Sequence, residues 1–116
     1  MKIRAIDRKL ATFEPSGYIT AANISEFQAE ITEAVKSSRY NRFLVDMSQV
    51  EFLDSAGLMA FVSSFRLSQS LGKGFSICSI PPSVRIIFEL TQLDKVLPIF
   101  ADRADFDQIS DEQMAA

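Results

Sequence analysis

From Lys2 to Lys9 apolar and polar residues alternate, Ile3 and Ala5 against Arg4 and Asp7, and this period of two predicts a strand with one wet face, suited to a sheet edge. Leu10 to Ile19 is extended as well, but Pro15, Ser16 and Gly17 interrupt it and predict a bend or bulge instead of a straight central strand. The period then changes. Ile24, Phe27, Ile31, Ala34 and Val35 recur at three and four, which predicts a helix. Asn23 is its expected N-cap, and Glu26 three residues later completes a capping-box pattern. Arg42 to Met47 contains the run Phe43-Leu44-Val45 closed by Asp46, the pattern of a strand buried on both faces in a parallel sheet. Ser48 to Leu53 reads as a loop, with Val50, Phe52 and Leu53 folded beneath it.

After Asp54 a helix of about sixteen residues is expected, with Leu58, Phe61, Val62 and Phe65 on its inner face and Gly72 past its end as a C-cap. Phe75 to Ser79 predicts another buried strand. Pro81-Pro82 opens a third helix, whose inner stripe is Val84, Ile87, Phe88 and Thr91. Val96 to Phe100 is expected as a short strand that Pro98 confines to the edge. Asp102 to Met114 is expected as an acidic helix with Asp102 as N-cap and Phe106 and Ile109 facing inward. Strand and helix alternate from Asn23 onward, so the fold class is α/β with a mostly parallel sheet. The 116 residues suit one domain spanning 1–116, without internal repeat or linker.

Composition narrows the function classes. A net charge of -3 with no basic run longer than Arg8-Lys9 leaves no stripe for a phosphate backbone, so nucleic acid is not an expected partner. The apolar stretches are far below the ~20 residues a membrane span needs, so no direct membrane insertion is expected. The charged N-terminal segment leaves no continuous apolar core for a secretory signal. Cys78 stands alone, which fits a reducing cytoplasm and a buried hydrophobic role. With no histidine, the Ser-His-Asp and Cys-His arrangements and the usual zinc sites are excluded, and no cofactor or metal is expected.

In α/β sheets, sites favour the loops leaving the carboxyl ends of strands. Here the segment after the Phe43 strand delivers Asp46, Ser48, Asp54 and Ser55, and Asp54-Ser55-Ala56-Gly57-Leu58 places a hydroxyl at a helix N-terminus. On position alone, a plain N-cap is the better explanation of Ser55 or Asp54, since both residue types lead the N-cap ranking and the sequence holds many other serines. At 100° per residue, Met59, Ser63 and Arg66 form a stripe beside the buried face with Ser55 at its upper end, a candidate partner surface or ordinary solvent-facing residues.

The stretch Val45-Asp46-Met47-Ser48-Gln49-Val50-Glu51-Phe52-Leu53-Asp54-Ser55-Ala56-Gly57-Leu58 resembles the signature of the STAS family, the sulphate-transporter and anti-sigma-factor-antagonist domain. Gly17-Tyr18-Ile19 with Asn23, and Val84 to Asp94, resemble its early and late segments in the right order. The resemblance implies a mixed, mostly parallel sheet of about four to five strands with about four helices. It implies a bacterial anti-sigma factor antagonist. Ser55 would be phosphorylated by an anti-sigma factor with serine-kinase activity and restored by a serine phosphatase, and only the unphosphorylated form would bind. Asp46, Asp54, Gly57 and Asn23 would support the phosphorylation loop. Many members carry an acidic residue where this chain has Thr20, so a contact of that carboxylate is absent here.

Two other readings stand beside this one. The domain can serve as a structural or accessory subunit of a signalling assembly or a membrane lipid transporter, which the same resemblance allows. An enzyme using Ser55 as nucleophile with Asp46 or Asp54 as helper is the weakest, because a carboxylate is a poor base for a hydroxyl at neutral pH.

Overall fold

The structure is a computed structural model that describes residues 2–7 and 9–108. Strand β1 (Lys2–Asp7) pairs antiparallel with β2 (Leu10–Glu14) and forms one edge of a five-stranded sheet. Strands β4 (Arg42–Asp46), β6 (Gly74–Cys78) and β7 (Ile99–Phe100) extend that sheet in parallel from β2, in the order β1-β2-β4-β6-β7. At Pro15, buried and without an N–H to donate, the chain leaves the sheet. Strand β3 (Ser16–Ile19) then pairs in parallel with β5 (Gln49–Leu53) as a separate two-stranded sheet.

The segment expected as a loop at Ser48 to Leu53 is therefore mostly strand. Its register explains why the pattern concealed it: Gly17 pairs with Val50 but Tyr18 pairs with Phe52, so β5 carries Glu51 as an extra residue opposite Gly17, at φ 72°. Such a bulge breaks the alternation of faces. Val50 and Leu53 point inward, while Glu51 and Phe52 both face solvent, Phe52 at 45% exposure. The expectation that Phe52 folds under is corrected accordingly.

Helices α1 (Ile24–Lys36), α2 (Ser55–Ser70) and α3 (Pro82–Leu90) cover one face of the large sheet. Ala11, Phe13, Phe43, Val45, Phe75 and Ile77 meet Phe27, Ile31, Phe61, Val84 and Phe88 from the helices in one core. The opposite face carries Leu10, Leu44 and Cys78, closed by Phe106 from α4, which covers 103–108. Phe43, Leu44 and Val45 are buried on alternating faces, as expected of a strand covered on both sides. Along α2, the buried Ser64 and Ser68 donate to the carbonyls of Ala60 and Ser64, so no hydroxyl is left unsatisfied against the core.

Helix ends follow the sequence in most places. Gly72, at φ 71°, ends α2: its N–H reaches the Gln69 carbonyl and that of Lys73 the Ser68 carbonyl, a full Schellman closure. Asp102 caps α4 by accepting from the Asp105 N–H at 2.8 Å. Ile109 and the residues to Met114 lie outside the described residues. Thr91, expected in the inner stripe of α3, is instead its exposed C-cap, its hydroxyl donating to the Ile87 carbonyl. The strand expected over Val96 to Phe100 shortens to its last two residues, because the short 3-10 turn Leu93–Lys95 occupies the approach and leaves Val96 exposed.

Candidate functional site

Ser55 is the first residue of α2 and is exposed. Its position is fixed by the residue before it. Asp54 is the N-cap, and one carboxylate oxygen accepts from the Gly57 N–H at 2.9 Å. The other accepts from the Ala21 N–H at 3.1 Å, across 33 residues of sequence. One carboxylate thus ties the turn before α1 to the start of α2. The Gly57 N–H, and next that of Ala21, hold the Asp54 carboxyl below the usual carboxylate range.

The turn between β3 and α1 is built locally. The Asn23 amide nitrogen donates to the Tyr18 carbonyl at 2.7 Å, and its amide oxygen accepts from the Thr20 N–H at 2.9 Å. Asn23 occupies the N-cap position of α1 but makes no side-chain cap bond there. The expected capping box with Glu26 does not form, because the amide is fully used behind the helix instead of ahead of it. The Thr20 hydroxyl accepts from the Ala22 N–H at 3.3 Å, so a neutral hydroxyl closes this turn.

Gly57 lets the two segments touch. The Asp54 N–H donates to the Ile19 carbonyl at 3.2 Å, and a β-carbon on residue 57 would lie 2.5 Å from that same oxygen. Any side chain there would push β3 away from α2. Asn23, Asp54 and Gly57 therefore converge beside Ser55, whereas Asp46 does not. Its carboxylate accepts from the Ser48 N–H at 2.9 Å and closes the turn between β4 and β5. Strand β5, about 13 Å long at 3.3 Å per residue, then separates it from Ser55. The bond that Asp46 makes is in the turn that opens the strand leading to Ser55.

Met59, Ser63 and Arg66 are all exposed along α2, continuing from Ser55 in one stripe. Two residues that periodicity did not single out stand close by. Tyr18 is 61% exposed and its ring lies 5.8 Å from that of Phe52, on the outer surface of the β3–β5 sheet. The sequence held one sign of this: Phe52 and Leu53 are adjacent apolar residues, which a regular strand cannot turn to the same face.

Cys78 is fully buried, and burial pushes its thiol up to about 11. Among the described residues no group of His, Cys, Asp and Glu is placed to hold a metal ion. No helix among them is long and apolar enough to cross a membrane.

Comparison with known proteins agrees with this arrangement. The model of the STAS domain matches residues 2–106. An anti-sigma F factor antagonist of Paenibacillus polymyxa is 22% identical over 71 residues, which span 61% of this chain and 61% of that protein. A TM1081 homologue of Thermotoga neapolitana, named as an anti-sigma factor antagonist, is 26% identical over 86 residues, 74% of this chain and 76% of its own. Among solved structures, the anti-sigma factor antagonist SpoIIAA in its unphosphorylated form superposes with a TM-score of 0.79 at 15% identity, covering 94% of this chain and 95% of that one. The phosphorylated form of the Bacillus protein gives 0.73 at 14%, covering 93% and 97%. With both sheets, helices α1 to α3 and the Asp54-Ser55-Ala56-Gly57 turn all inside the matched span, the chain belongs to the STAS domain family.

Proposed function

We propose that this protein is a cytoplasmic anti-sigma factor antagonist, a binding module and not an enzyme. In this reading its unphosphorylated form docks an anti-sigma factor that is also a serine kinase, and phosphorylation of Ser55 releases it. A serine phosphatase resets the switch. The observation that carries the reading is the exposed Ser55 hydroxyl at the first position of α2, on a turn that Asp54 and Gly57 hold rigid. The names of the relatives support it, as does the existence of SpoIIAA in both unphosphorylated and phosphorylated forms.

A phosphate adds about -1.5 to -2 charges and three acceptor oxygens. In the free protein the helix dipole and the N-terminal turn of α2 favour the added charge, although Asp54 already holds the Gly57 N–H and draws on that of Ala56. The free domain therefore tolerates the modification. Against a partner the balance reverses, since the new charge is desolvated beside the Asp54 carboxylate. A penalty of about 3 kcal/mol corresponds to roughly a hundredfold loss of affinity. No rearrangement of the fold is required.

The test is phosphate transfer from labelled ATP in extract of the source cells, followed by purification of the kinase and titration of binding. Label at Ser55, none in Ser55→Ala, and weak binding by Ser55→Asp are expected. Equal labelling of Ser55→Ala rejects the site. Recovery of transporter subunits without any kinase would favour the accessory role instead.

A further inference from the structure

The rings of Tyr18 and Phe52 are held side by side in solvent, 61% and 45% exposed, by a bulge that turns Phe52 out of the core. Exposed aromatic pairs cost solubility and suit the centre of a protein interface. This pair is continuous with the phosphorylation site. Phe52 is three residues from Ser55, no more than about 11 Å of chain. Tyr18 offers its carbonyl to Asn23, and the next residue, Ile19, receives the Asp54 N–H.

The charged residues flanking the pair, Glu26, Glu30 and Glu51, are acidic, and Arg66 lies about three turns along α2 from Ser55. Through residues 10–35 and again through 43–65, every charged residue is acidic and there is no lysine or arginine. These stretches hold β2, β3, β5, α1 as far as Val35 and the first two-thirds of α2, short of Lys36 and Arg66. Tyr18 shares a groove of about 120 Å³ between β3 and α1 with Glu26 and Glu30, and Glu51 is exposed beside Phe52. Three basic residues lie at the other end. Lys73 sits just past α2 with its ammonium on the Val35 and Ser37 carbonyls, and Lys9 and Arg42 meet at the starts of β2 and β4.

We infer that Tyr18 and Phe52 are the apolar anchor of the partner interface, and that the occupant is a protein surface with an apolar socket rimmed by lysine and arginine. This rests on the proposed function and specifies the partner surface: the anti-sigma factor kinase covers the β3–β5 sheet and the adjoining face of α1 as well as the outer stripe of α2. A basic rim is compatible with release on phosphorylation. Phosphoryl transfer requires the nucleotide at the Ser55 hydroxyl, so the phosphoserine formed faces the remaining nucleotide phosphates. The rim cations meet Glu26, Glu30 and Glu51 to one side. Attraction at the edge orients the encounter, and repulsion at the centre ends it.

The probe is the purified kinase that labels Ser55. Tyr18→Thr/Phe52→Thr keeps strand propensity and removes only exposed rings, so its thermal unfolding is expected to match the wild type. Its affinity for the kinase is expected to fall at least thirtyfold. The second variant, Glu26→Lys/Glu51→Lys, leaves the rings in place and is expected to slow association about tenfold at low salt, with the difference fading as salt rises. If the kinase labels Ser55 and binds both double variants as it binds the wild type, the inference is overturned while the proposed function stands. If no anti-sigma factor binds the wild-type chain, both fall.

Discussion

A β-carbon at position 57 would lie 2.5 Å from the Ile19 carbonyl oxygen, a backbone atom with no freedom to swing aside. Alanine at a helix position is ordinarily favoured over glycine by about 1 kcal/mol. Here overpacking outweighs that gain, and Gly57→Ala is expected to destabilise the protein by about 1–2 kcal/mol in urea titration. A gain in stability would show that β3 is not pinned to α2. Asp54 makes a second prediction. Its carboxyl is held below the ordinary value of 3.8 by bonds that only the folded state offers, so the stabilisation is complete above that value and is lost as pH falls through the lower folded one. Followed by carboxyl carbon NMR, Asp54 is expected to stay ionised throughout the neutral and mildly acidic range, and the Ala21 amide shift to move with it below pH 4. An Asp54 that titrates at the ordinary value would remove the tie between the two turns.

Among the elements, α2 carries both the site and the core. Phe61 is fully buried, with its ring 5.2 Å from Phe27 and 6.2 Å from Phe88, so it joins all three main helices. Phe61→Ala is expected to cost about 3–5 kcal/mol by denaturant titration. This helix was legible in the sequence because apolar spacing, an N-cap aspartate and a C-terminal glycine agree on its bounds. The same holds for β4, with its unbroken run Phe43-Leu44-Val45, and for β6, where Ser76 alone interrupts Phe75, Ile77 and Cys78. Strand β5 was not legible, since an extra residue at Glu51 destroys the period of two on which strand assignment depends. Asn23 misled for a different reason. Its amide can cap a helix or staple a turn, and only the position of the Tyr18 carbonyl decides between them. Asp46 is near Ser55 in the motif but not in space, because the residues between them form an extended strand instead of a folded loop.

Across the whole molecule, sequence position and charge combine into a polarity that no single motif contains. Glu26 and Asp54 stand at the N-terminal ends of α1 and α2, the end that presents Ser55, and Lys73 completes the opposite end, about 24 Å away along α2. This arrangement places carboxylates near positive helix ends and a cation near negative ones, which favours the fold. The switch then needs no movement of the domain, only a change of charge at a point a partner must cover. Calorimetric titration of one purified anti-sigma factor with the unmodified protein and with the protein phosphorylated at Ser55 tests this most directly. The account predicts that phosphate weakens binding about a hundredfold with the fold unchanged; equal affinities for the two forms would contradict it.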